Sequence, residues 1–122
     1  LPLRELIFGE LPEDARIATY KAKWDDLYRE RWGIKSVYAG KLANGLEKEI
    51  SDVCKRAYRA MDIRSYLRFD TRVGQDGKVY IIEANANPCI ARIDEVAQSA
   101  AKVGISYNQL IKTIVQLAFQ RS

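Results

Sequence analysis

The sequence has no histidine and only two cysteines, three prolines and one methionine. Without histidine the commonest general base near neutral pH is missing, as is the commonest metal ligand. Any chemistry must therefore come from carboxylates, amides, lysines and arginines. Cys54 and Cys89 are too few and too far apart to make a disulfide framework or a zinc site. Cys54 falls in a helical pattern as an inward-facing small residue. Unpaired thiols suit a reducing, cytoplasmic setting. No apolar run approaches the ~20 residues of a membrane span, so no membrane partner is expected. A secretory leader pattern is also missing. The first residue is Leu1 rather than methionine, which suggests a processed, trimmed or truncated chain.

What is present is a chain of 122 residues, 48% apolar, long enough for one domain with a packed interior. Twenty lysines and arginines face sixteen acids, a net charge of +4. That mild excess suits an anionic ligand, and equally an ordinary solvated surface. The basic and aromatic residues form no recognisable nucleic-acid motif, which makes nucleic acid an unlikely partner.

Leu3–Phe8 reads as a short strand ending at Gly9, and residues 10–15 as a loop. Ile17–Trp24 reads as a second strand, with Ile17, Thr19, Lys21 and Lys23 on one side by period two. Residues 25–42 read as irregular, with a short extended piece near Ser36–Tyr38. Asn44 is a candidate helix cap, with Glu47 three residues on. Leu46, Ile50, Val53, Cys54, Ala57, Tyr58 and Met61 then recur at helical spacing. Ser65–Val73 and Val79–Asn85 read as strands joined by a turn at Gln75-Asp76-Gly77-Lys78. Two helices close the chain. The first runs from Asp94 to Lys102 and ends at Gly104. The second is capped by Ser106, with Tyr107, Leu110, Ile111, Ile114, Val115 and Ala118 inward. These elements predict an α+β fold, an antiparallel sheet covered by helices.

The hairpin holds the chemistry. If Asp76-Gly77 is a two-residue loop, Asp70 faces Glu83 and Arg68 faces Asn85. Period two places all four on one face, with Leu67, Phe69, Val73 and Ile82 on the other. Opposed carboxylates lie ~5 Å apart at Cβ and repel, so a cation between them is the natural remedy. Two carboxylates and an amide oxygen are hard ligands suited to Mg²⁺, which completes its shell with water and substrate phosphates. The same face also reads as a solvated ribbon on which Arg68 neutralises an exposed acid pair. An odd number of loop residues would change the register.

Arg68-Phe69-Asp70 followed by Glu83-Ala84-Asn85-Ala86-Asn87-Pro88 resembles the C-terminal part of the D-alanine–D-alanine ligases, within the ATP-grasp superfamily. Val103-Gly104-Ile105-Ser106-Tyr107 with Leu110-Ile111 resembles the family's last helix. Tyr20-Lys21-Ala22-Lys23-Trp24 resembles its tyrosine-glutamate-alanine-lysine-tyrosine segment. The resemblance runs roughly from Leu1 to Ala118. It implies an ATP-grasp C-terminal subdomain in which Asp70, Glu83 and Asn85 hold Mg²⁺ (or Mn²⁺) against the phosphates of ATP, the co-substrate. It further implies that Arg68 stabilises charge developing on the transferred phosphoryl group or the tetrahedral intermediate, and that Lys23 reaches the terminal phosphate. The implied reaction phosphorylates a carboxylate, and an amine then attacks the acyl phosphate.

Three departures bear on the substrate. Lys21 stands where the family has glutamate, Trp24 where it has tyrosine, and Cys89 where it has glycine. The loop Ile90-Ala91-Arg92-Ile93-Asp94 lacks the expected small hydroxyl residues, and Arg92 is an alternative holder for an acceptor carboxylate. A peptide ligase of the same superfamily therefore remains open beside small-molecule carboxylate and amine substrates. So does a non-catalytic binding module for RNA or another partner. The family's N-terminal domain, glycine-rich lid and adenine hinge are not among these residues. The resemblance thus implies a catalytic fragment covering residues 1–122, inactive alone, whose exposed start favours a homodimer.

Overall fold

A computed structural model describes residues 1–120. The residues divide into two compact units, Leu3–Gly40 and the segment from Lys41 onward with Leu1–Pro2.

In the first unit, β1 (Arg4–Ile7) pairs antiparallel with β2 (Lys35–Tyr38), Arg4 facing Tyr38 and Ile7 facing Lys35. Between them stand a 3₁₀ turn (Glu13–Ala15) and two short helices, α1 (Tyr20–Trp24) and α2 (Asp26–Trp32). The strand expected over Ile17–Trp24 is therefore corrected: Tyr20–Trp24 is helical, and Ile17–Thr19 lead into it. Thr19 caps it by accepting from the Ala22 N–H, and the Lys23 N–H donates to the Thr19 carbonyl at 2.9 Å. One turn of helix is too short for a 3.6-residue period to show, and chance period two prevailed. Residues 25–42 are likewise ordered rather than irregular. Asp25 ends α1 and caps α2, its carboxylate accepting from the Tyr28 N–H at 2.9 Å.

Gly33 closes α2 in the left-handed conformation, and the Ile34 N–H returns to the Arg29 carbonyl. Leu11, Ala22 and Ile34 form the buried centre, walled by Leu6, Phe8, Tyr28 and Trp32. The end of β1 comes so close to the end of α2 that a side chain at Gly9 would collide with the Trp32 carbonyl. Gly9 also has φ of +53°. Both facts require glycine there.

The second unit holds α3 (Leu46–Ala60), β3 (Arg68–Val73), β4 (Val79–Asn85), α4 (Glu95–Lys102) and α5 (Tyr107–Phe119). α3, with Ile50 buried, lies against β4. The expected Asn44 cap is corrected: Gly45, at φ +82°, precedes the helix and makes no side-chain bond to it. At the far end the Tyr58 hydroxyl donates to the Ser65 carbonyl at 2.7 Å, tying the connection into β3 to the helix.

Ala97 and Ala100 on α4 bury against Leu110 of α5, with Val96, Tyr107 and Ile114 around them. Ser106 and Gln109 form the reciprocal capping box of α5. Val115 and Ala118, expected inward, are exposed; the inner stripe runs through Tyr107, Leu110, Ile111, Ile114 and Leu117 instead. The layout of helices and two small antiparallel sheets is the α+β arrangement that the sequence patterns indicate.

Candidate functional site

The hairpin reaches the expected pairing by a different route. The Gly74 N–H donates to the Lys78 carbonyl and the Gly77 N–H to the Gly74 carbonyl. The connection thus holds an odd number of residues between a paired Gly74 and Lys78. Asp76 braces it, accepting from the Lys78 N–H and the Tyr80 hydroxyl, and Gly77 supplies φ of +76°. Pairing next to the turn is therefore one residue out of the two-residue-loop register: Val73 faces Val79, Arg72 faces Tyr80 and Thr71 faces Ile81. A one-residue shift between Asp70 and Thr71 then restores the expected partners. Ile82 is the extra residue of this bulge.

Beyond the bulge Asp70 faces Glu83, Phe69 faces Ala84 and Arg68 faces Asn85. By the alternation of each strand, Arg68, Asp70, Glu83 and Asn85 share one face. The bulge also decides which isoleucine goes inward. Ile81 lies across from Thr71, on the face of Phe69, and is half-buried, whereas Ile82 is 68% exposed. The expectation that Ile82 faces the core is corrected accordingly. A one-residue slip exchanges the two faces of a strand.

The four side chains differ in their surroundings. Arg68 grips Asp70 with both prongs, Nε to Oδ1 at 2.8 Å and Nη2 to Oδ2 at 3.2 Å. Burial pulls the Arg68 guanidinium pKa down. The hydrogen bond and charge of Asp70, with Glu95 and Glu83 beyond, outweigh that and hold it above its ordinary value. Arg68 is thus a fixed cation at every working pH. Glu83 is exposed, and Asn85 Oδ1 accepts from the Asn87 N–H at 2.9 Å, which turns its amide into the loop that follows β4. In that loop Pro88 is fully buried, and the thiol of exposed Cys89 donates to Asp94. Arg92 lies with its guanidinium 4.2 Å from the centre of the Tyr107 ring.

The donor set fits a small hard cation. It offers two directly opposed carboxylates and, one pair along, an amide oxygen, with no soft ligand among them. Among the described residues no cluster of three or more acids, cysteines or histidines forms a self-sufficient metal site. A third donor to a cation would be the Asn85 amide oxygen, which already accepts from the Asn87 N–H and would have to share its second lone pair. Lys23 lies on α1, in the first unit.

One partner of the site had no signal in the sequence. Glu95, in the first turn of α4, brings Oε2 to 3.8 Å from Arg68 Nη1. No period or motif connects residue 95 with the hairpin; the loop after Asn85 folds it back.

The class of protein that the geometry defines is an α+β scaffold with paired carboxylates, an amide and a guanidinium on one hairpin face. The comparisons with known proteins narrow that class. Residues 4–116 match the family model described as D-ala D-ala ligase C-terminus, and the chain belongs to that family. It is similar to the D-alanine–D-alanine ligase of Desulfotalea psychrophila, 28% identical over the whole chain and 35% of the relative. It is similar also to that of Shouchella clausii, 29% identical over 91% of the chain and 29% of the relative. With the Haemophilus influenzae ligase it shares 36% identity over 59% of the chain and 24% of the relative. The chain thus spans about a third of the length of the curated relatives that it matches. No helix among the described residues is long and apolar enough to cross a membrane.

Proposed function

We propose that this chain provides the metal- and phosphate-facing part of an ATP-dependent ligase that joins a carboxylate to an amine through an acyl phosphate. The observation that carries the reading is the pairing of Asp70 with Glu83 and of Arg68 with Asn85 on one face of a family-matched hairpin. Asp70, Glu83 and Asn85 would hold Mg²⁺, or Mn²⁺ in its place. When bound, the ion would neutralise phosphate charge and help orient ATP for in-line transfer. Arg68, anchored by Asp70, presents a fixed positive charge beside the transferred phosphoryl group and the later tetrahedral oxyanion. Lys23 would meet the terminal phosphate as a point charge.

The two steps balance without a histidine. A substrate carboxylate oxygen bonds to the γ-phosphorus and ADP leaves. The amine nitrogen then bonds to the acyl carbon, inorganic phosphate leaves and the nitrogen gives up a proton. The residues contribute position and electrostatics. The relatives are D-alanine–D-alanine ligases, which makes D-alanine the first substrate to try, and the free thiols of Cys54 and Cys89 suit a cytoplasmic setting.

The test is Mg²⁺-dependent ADP release in the protein that carries this chain, with ATP and D-alanine. Glu83→Gln and Asp70→Asn should each lower turnover by roughly a hundredfold or more, the scale of losing one preorganised charge contact. Their stabilities should differ. Glu83→Gln removes the charge of an exposed side chain and should change the melting temperature less than Asp70→Asn does. Asp70→Asn breaks the half-buried pair with Arg68 and should lower it. Full turnover in both variants at saturating Mg²⁺ would reject the hairpin as the metal site.

A further inference from the structure

Arg68 has more acidic partners than the metal reading requires. Nε and Nη2 hold Asp70, and the remaining prong, Nη1, lies 3.8 Å from Glu95 Oε2. One guanidinium therefore bridges two carboxylates on two different elements, β3 and α4. Glu95 stands in the first turn of α4, where the helix dipole favours a negative charge. It is not one of the residues opposed on the hairpin.

This arrangement matters once a cation approaches Asp70. A divalent ion on that carboxylate brings like charge within a few ångströms of the guanidinium, and the two repel. Asp70 cannot serve both fully. Without a second anchor, Arg68 would swing into solvent, and ordering it again would cost side-chain entropy.

We propose that Glu95 is a positioning residue that keeps Arg68 beside the site when a divalent cation takes over Asp70, an inference that rests on the metal reading above. Arg68 then has two settings. It neutralises Asp70 when the cation is away, and it leans on Glu95 when the cation is bound. The second setting lowers the cost of displacing Arg68, so Glu95 strengthens cation binding without touching the ion. It also leaves the guanidinium where phosphoryl charge develops.

A Mg²⁺ titration of this chain tests the inference, followed by the ¹⁵N resonances of residues 68–70 and 83–85 and by the Arg68 Nε–H. Glu95→Gln should weaken Mg²⁺ binding roughly fivefold, within the usual range for coupled neighbours, and Glu95→Asp should recover most of the loss. In an Arg68→Gln background the same Glu95→Gln change should have no effect, because its route to the cation is gone. At saturating Mg²⁺ the Arg68 Nε–H should stay resolved in the parent chain and broaden in Glu95→Gln. Equal weakening in both backgrounds would make Glu95 a distant charge and overturn the proposal. So would no weakening in either. If the parent chain shows no Mg²⁺ response that Glu83→Gln abolishes, the metal reading fails and the role of Glu95 fails with it. A normal parent response with an inert Glu95→Gln rejects Glu95 alone.

Discussion

The two units respond differently to the same style of sequence reading. In the hairpin, strands of six and seven residues are long enough to show period two, and beyond the bulge Asp70–Glu83 and Arg68–Asn85 pair as expected. In Leu3–Gly40 the helices have five and seven residues, each too short to declare a period, and the chain turns at side-chain caps and glycines. The pairs Asp70–Glu83 and Arg68–Asn85 were legible where regular pairing sets geometry. Local architecture was obscure where capping and close backbone approach set it.

The most disruptive way to probe this contrast is at Gly9. Gly9→Ala meets both a positive φ and the Trp32 carbonyl, and should destabilise the first unit by about 1–3 kcal/mol or more. Urea unfolding monitored by Trp24 and Trp32 fluorescence would measure it. A cost near zero would mean that β1 and α2 do not approach as described.

The bulge gives the next largest contrast, because the two adjacent isoleucines should part company. Ile81→Ala removes a half-buried side chain and should cost about 1–3 kcal/mol, whereas Ile82→Ala on the exposed side should cost less than about 0.5 kcal/mol. The reverse order would restore the simple two-residue turn and remove the bulge.

Thr19→Ala offers the mildest test. If α1 is a helix, losing the cap on Ala22 should cost about 1 kcal/mol, and Thr19→Ser should recover most of it. If Ile17–Trp24 were a strand, neither change would matter in that way.

The legible and illegible parts have physical causes. The helix over Leu46–Ala60, the strand over Val79–Asn85 and the Ser106 cap were each readable, because a long period or a paired capping signal fixes them locally. The pairing of Asp70 with Glu83 was anticipated from a turn that is itself different. The odd connection shifts the ladder one way and the bulge at Ile82 shifts it back. Neither is written in a period, since a bulge is one residue that breaks the pattern. Val115 and Ala118 fall outside the inner stripe of α5, which is narrower than its run of apolar residues. Glu95 was invisible for another reason: its approach to Arg68 is a tertiary event across a loop.

The central claim is that the face bearing Asp70, Glu83 and Asn85 receives a divalent cation, and Mn²⁺ in place of Mg²⁺ tests it most directly. A paramagnetic ion broadens nearby nuclei, so ¹⁵N spectra of this chain with trace Mn²⁺ should lose the amide signals of residues 68–70 and 83–85 first. Excess Mg²⁺ should restore them, and Glu83→Gln should prevent the loss. Broadening centred on other acids, such as Glu49 and Asp52 on the outer side of α3, or unchanged by Glu83→Gln, would contradict the account.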